Sequence, residues 1–201
     1  MKVWLTLALL LVPGLARADL FTAQGIAHGG FSGMNLGAGL VAATTQPLAC
    51  VACARLTEPL RISAAMHGVA GGMELAKAGI YGGLNAGIRG DMRGEAFAGW
   101  LLAEGFLSIG TTATSLTTAV VLNETARGVR KDLGIVPLQG RFGHAVRFSV
   151  ATHLVTGLAA FLDSTALAVA ILVFDAERIV PEEAALRVVP TVGGLAIVGR
   201  W

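Results

Sequence analysis

Six side chains able to carry charge or exchange a proton, His28, His67, Glu74, Glu104, His153 and Asp163, stand inside long apolar stretches of this 201-residue chain. An ionised group left facing hydrocarbon at mid-membrane depth costs on the order of 3 kcal/mol or more, so Asp163 is expected to face protein, protonated or paired. Imidazole titrates near neutrality, which makes a set of His, Glu and Asp raw material for an intramembrane proton or ion relay. A plainer role fits the same residues, because Lys77 and Arg147 are at hand to neutralise two of the acids.

Other chemistry is thinly represented. Cys50-Val51-Ala52-Cys53 holds the only two thiols. A thioredoxin-like site would need a βαβ context, and a structural zinc site two further ligands at matching spacing. Neither is visible, so the pair reads as ordinary small residues or a structural disulfide, with a redox or metal role as the alternative. No G-x-S-x-G, Walker A or H-E-x-x-H pattern occurs. Gly37-x-Gly39-x-x-Ala42 meets only the loosest dinucleotide fingerprint, and it lies late in an expected helix, away from any strand-to-helix turn. The expectation is therefore no enzymatic activity, no catalytic residue, no cofactor and no bound metal. With 15 Lys+Arg against 13 Asp+Glu and no basic block, nucleic acid is not an expected partner.

Two of the histidines sit in a repeat. Ala27-His28-Gly29-Gly30-Phe31-Ser32-Gly33-Met34-Asn35-Leu36 and Met66-His67-Gly68-Val69-Ala70-Gly71-Gly72-Met73-Glu74-Leu75 share the pattern H-G-x-x-x-G-M-polar-L. At about 100° per residue, the pairs His28/Asn35 and His67/Glu74 lie on one helix face and the glycines on the opposite one. Gly25, Gly29, Gly33 and Gly37 recur every fourth residue in the first copy; Gly68, Gly72, Gly79, Gly83 and Gly87 cluster around the second. In water such glycines weaken a helix, but in lipid a ridge of small residues supplies helix association, so both series are expected to be packing faces. If the two copies cross in opposite directions, their histidines lie toward opposite sides, which argues against one site holding both.

The elements that must position these groups follow from apolar length and charge. A hydrophobic content of 54%, only 14% charged residues and a mean hydropathy of +0.70 point to a membrane protein. The reading is all-α: an integral membrane four-helix bundle with glycine-ridge packing, its helices at about 24–45, 62–88, 95–122 and 147–174, together forming a domain over 19–174. The first of these segments carries no charge, and its 22 residues would span about 33 Å. In the second, Met66, Met73, Ile80, Leu84 and Ile88 share a sector suited to lipid, with Lys77 nearby. Along the third, Glu104, Ser108, Thr111, Ser115 and Thr118 form one polar stripe, which reads as interhelical hydrogen bonding before it reads as a water path. In the fourth, Ser149, Thr152, Thr156 and Asp163 share a face, with His153 close to it. Residues 46–61, bounded by Pro47 and Pro59, the turn 89–94 and the polar stretch 123–146 are expected connections.

The ends have their own signatures. Lys2, an apolar run from Val3 to Val12 and Ala16-Arg17-Ala18 predict a signal peptide over 1–18, cut after Ala18, with an uncleaved anchor as the alternative. Residues 175–201 form an extramembrane tail whose β-prone runs around Pro190 and Gly193-Gly194 suggest a short hairpin. Arg55, Arg61, Arg127, Arg130, Lys131 and Arg141 fall in the 46–61 and 123–146 connections, against Arg89, Arg93, Arg178 and Arg187 on the other side. That bias favours both termini outside the cytoplasm and free thiols at Cys50 and Cys53.

The function expected from these readings is a structural or interaction role in the bacterial envelope, in the inner membrane. Its partners would be the lipid bilayer and further copies meeting through the glycine ridges. A small proton- or ion-conducting protein is the alternative. A second alternative is an outer-membrane β-barrel, prompted by the export signal and by Leu195, Ile197, Gly199 and Trp201 alternating to an aromatic end.

Overall fold

The computed structural model describes the backbone of residues 15–45, 51–89, 94–133, 140–173, 186–191 and 194–199, and side chains within 21–45, 54–86, 99–132 and 140–169. Among the described residues four helices make the fold: α1 Leu15–Thr44, α2 Val51–Arg89, α3 Gly94–Leu133 and α4 Gly140–Val173. Each packs on the next and α1 closes against α4, the ring of an up-and-down bundle with short connections. The all-α expectation holds for this helical unit. Among the described residues, segments Gly99–Asp132 of α3 and Gly140–Val169 of α4 are long and apolar enough to cross a membrane.

The helices outrun their expected limits. α2 begins at Val51 and carries Pro59 inside it, so most of 46–61 is helix and not connection. α3 continues through most of the polar stretch to Leu133, and α4 starts at Gly140 and not at 147. The prolines bounding 46–61 and the charge of 123–146 were the reasons for expecting loops there, yet charge suits a helix that runs on into water. Glu124 pairs with Arg127 at 3.1 Å one turn later, and Arg130 and Lys131 sit at the C-terminal end of α3, where cations favour the helix dipole. Gly140 opens α4 with φ of 70°, a backbone that side-chain-bearing residues rarely adopt.

Which face of each helix turns inward is settled by the polar stripes. The buried set includes His28, Ser32 and Asn35 of α1, Ser63, His67, Glu74 and Lys77 of α2, Glu104, Ser108, Thr111 and Ser115 of α3, and Ser149, Thr152, His153 and Thr156 of α4. The outer surface carries Ile26, Leu40, Leu75, Phe106, Ile109, Val120, Leu158 and Phe161. The sector of α2 expected to meet lipid corrects in part: Ile80 and Leu84 are buried against Phe21, and Lys77 is fully enclosed. Once Glu74 and Lys77 turn inward to meet polar partners, their neighbours one turn on must follow.

Most of the expected ridge glycines therefore point away from the bundle. A Cβ at Gly29, Gly33, Gly37, Gly68, Gly72 or Gly79 would meet nothing within 4 Å, so inside one chain these positions touch no neighbouring helix. Gly25 and Gly83 do face one, at 3.5 Å from the Ala78 carbonyl and 3.2 Å from the Trp100 ring; Gly87 lies outside the described side chains. The close approaches are made by other glycines. A Cβ on Gly39 would stand 3.0 Å from the His67 Cβ and 3.2 Å from the Ala64 carbonyl, and one on Gly157 would press on Leu116 at 2.7 Å.

Residues 186–191 and 194–199 run as an antiparallel pair with Val188 opposite Ile197, but their side chains are not among those described. Nothing in the helical unit tests the expected hairpin as a packed tail. Residues 1–14, Cys50, the Cys53 side chain and the 90–93 turn also lie outside the described residues.

Candidate functional site

Along the bundle axis the polar interior divides into two clusters. In the first, α1, α2, α3 and α4 supply one or two residues each at one level. The His28 Nδ1 lies 2.6 Å from the Glu74 Oε2, and the other Glu74 oxygen is 2.6 Å from the Lys77 Nζ. Lys77 also donates to the Ser108 hydroxyl at 3.3 Å, and Ser108 donates to the Glu104 Oε1 at 2.7 Å. Asp163 closes the group from α4, its Oδ2 3.8 Å from the His28 Nε2 and 3.9 Å from Lys77. The Tyr81 ring stacks on the His28 imidazole at 5.2 Å, which holds that ring in plane. Three carboxylates thus face a single ammonium.

The second cluster lies toward the charged end of the bundle. Asn35 of α1 donates both amide protons, to the Phe31 carbonyl at 2.9 Å and to the Thr156 hydroxyl at 2.8 Å. Its Oδ1 can only accept, so the His67 Nδ1, 3.0 Å away, must be the donor. A neutral His67 then has a bare Nε2, which takes the Ser149 hydroxyl proton at 2.7 Å. Ser149 has no second proton, so across their 2.6 Å contact Ser63 donates to it. That leaves the His153 Nε2 to donate to Ser63 at 3.0 Å, and the His153 Nδ1 carries a lone pair that is buried and has no hydrogen-bond partner among the described residues. Every proton in this chain is assigned by elimination from Asn35 onward.

The two imidazoles of this cluster lie face to face, 3.6 Å between centroids and 2° from parallel. Two adjacent positive rings repel, so the stack favours at most one charge. Among the described residues no hydrogen bond joins the two clusters. Apolar clusters flank the polar interior: Phe21, Ile80 and Leu84 near the first cluster, and Leu56, Leu60, Leu122, Val129 and Phe142 beyond the second.

All six ionisable residues singled out by sequence face the interior, but in two groups. His28, Glu74, Glu104 and Asp163 meet in one; His67 and His153 meet in the other. The expectation that His28 and His67 do not share a site agrees with this arrangement. Among the described residues Arg147 meets no acid: it is exposed and its guanidinium lies 3.4 Å from the His144 Nδ1. Sequence reading passed over Ser63 and Tyr81. Ser63 lies one turn before His67 on the same face, a spacing that could have marked it. No family model, curated protein or solved structure matches this chain.

Proposed function

We propose that the protein is an integral membrane four-helix bundle that moves protons through its polar interior. The inverted distribution of side chains supports the membrane part of this reading. On all four helices an exposed apolar surface gives way to exposed polar residues at one level: Val41 to Thr44, Ile62 to Arg61, Val121 to Glu124, Phe148 to Arg147. From that level each helix continues well past the roughly 20 residues, about 30 Å, that a hydrocarbon core requires. On this reading α1 and α2 cross with α3 and α4, and the β-prone C-terminal residues form an extramembrane hairpin.

The observation that carries the proton reading is the chain His67–Ser149–Ser63–His153 with its open end at the His153 Nδ1. A proton arriving at that lone pair makes His153 an imidazolium. The Nε2 proton then passes to Ser63 as the Ser63 proton passes to Ser149 and the Ser149 proton to the His67 Nε2. Charge has moved to His67, His153 is left neutral with its proton on Nδ1, and every heavy-atom contact still holds a hydrogen bond. The two apolar clusters are the places where water must enter for transfer to continue to either side.

Proton flux into proteoliposomes under an imposed potential tests this. Wild type is expected to conduct above empty vesicles, and His153→Gln and Ser63→Ala to lower the flux at least about tenfold while the protein still inserts. Background flux in wild type, or full flux in both variants, would contradict it.

The interaction role keeps one specific observation in its favour. Gly29, Gly33, Gly37, Gly68 and Gly72 are open to the outside, where a second copy could approach as closely as small residues allow. Gly33→Leu should then lower the oligomeric state measured in detergent; an unchanged size would remove this role for the ridge.

A further inference from the structure

The first cluster has a feature that packing and proton transfer leave unused. The His28 side chain is 2% exposed, and its Nε2 is buried without a hydrogen-bond partner among the described residues. Its other nitrogen is held by Glu74 at 2.6 Å, and Glu74 is itself anchored by Lys77. A carboxylate on one imidazole nitrogen fixes the ring and its tautomer, so that the opposite nitrogen presents a lone pair; this is the usual second shell of a metal-binding histidine.

That lone pair faces oxygen ligands. The His28 ring nitrogen, a Glu104 oxygen and an Asp163 oxygen all lie within 4.8 Å of one another. Ligands held about 2.1 Å from a common ion stand roughly 3.0 to 4.2 Å apart, so side-chain shifts of some tenths of an ångström would close the set. Glu104 is oriented by Ser108, and Asp163 is the least enclosed member at 28% exposure, which leaves a side open for entry. Charge points the same way. With Glu74, Glu104 and Asp163 ionised, Lys77 offsets one carboxylate, and the two remaining negative charges match one divalent cation. Lys77 holds Glu74 at 2.6 Å and lies 3.9 Å from the Asp163 oxygen, so its ammonium borders the site as part of the support.

We infer that His28, Glu104 and Asp163 form a binding site for one divalent transition-metal ion, with Glu74, Lys77 and Ser108 as its positioning shell. One imidazole nitrogen and two carboxylate oxygens suit ions such as Mn2+, Fe2+, Co2+ and Zn2+ better than Mg2+ or Ca2+, which seek oxygen alone, or Cu+, which seeks sulfur. The site stands on its own geometry and does not depend on proton flux, because none of its ligands belongs to the His67–His153 chain.

The test is equilibrium binding of Zn2+, and of Co2+ read by its visible absorption, to the full chain purified in detergent and stripped with chelator. One equivalent should bind saturably. Asp163→Asn and Glu104→Gln should each weaken binding at least about tenfold, and His28→Gln should do the same and alter the Co2+ spectrum through loss of its nitrogen ligand. His153→Gln should bind as wild type does. Asp163 is the most exposed ligand, so its variant is the one expected to fold normally. Absence of saturable binding in wild type overturns the site, as does equal binding in wild type and Asp163→Asn. Zinc binding with no proton flux would sink the proposed function and leave the site intact; flux without metal binding would do the reverse.

Discussion

At the end of the bundle marked by Arg55 and Asp132, the helices hide Leu56, Leu60, Leu122, Val129 and Phe142 and show Glu58, Arg61, Arg127 and Arg130 to the outside. Beyond Ile62 and Val121 the order reverses: Glu74, Lys77, Glu104 and His153 are inside, and Leu75, Phe106, Ile109 and Leu158 are outside. On the proposed membrane reading, one continuous set of helices obeys two solvent rules. The first part is arranged as in water, where apolar area is buried at roughly 25 cal/mol per Å². The second is arranged as in lipid, where the outside is already apolar and polar groups gain by meeting each other. The same helix seam serves both, switching from leucine and valine to serine, histidine and acid.

The comparison can be broken by removing one cation from each region. Lys77→Met strips the ammonium from the buried Glu74 and Glu104 and the partly exposed Asp163 and is expected to cost about 3 to 5 kcal/mol, the usual result of orphaning a buried charge. A midpoint within experimental error of wild type, in unfolding from detergent, would mean that Lys77 does not hold the acids in place. The Arg55–Asp132 pair is shorter than many, at 2.9 Å, but its side chains are 63% and 54% exposed. Arg55→Ala should change stability by about 0 to 1 kcal/mol in the same assay, because solvent screens the pair. Equal losses from the two substitutions would erase the distinction between the regions.

Much of this division was legible in the residues. The expected limits at 45, 62, 122 and 147 fall close to the levels where the surface changes polarity, although the helices themselves run further. Charge reports where water begins, and water does not by itself end a helix; with Glu124 paired to Arg127 and Pro59 tolerated within α2, the backbone carries on. The polar stripe Glu104, Ser108, Thr111 and Ser115 was readable from spacing and is buried throughout. The inward face of α1 and α2 was harder. Each offered two candidate contact faces, one of glycine and one with His28/Asn35 or His67/Glu74, and local periodicity ranks neither. The choice is made by neighbours: Asn35 meets Thr156 across 121 residues of sequence, and His67 meets Ser149 across 82. The same long separations kept the union of His28, Glu104 and Asp163 out of reach of motif reading.

The central claim is that this change of surface marks a membrane boundary. Single cysteines along α3, in a background with Cys50 and Cys53 replaced, would be reacted in native membranes with a maleimide that does not enter lipid. Positions 106, 109 and 120 should stay unreacted and positions 124, 127 and 130 should label readily, with the switch between 121 and 124. Uniform labelling across that interval would contradict the account.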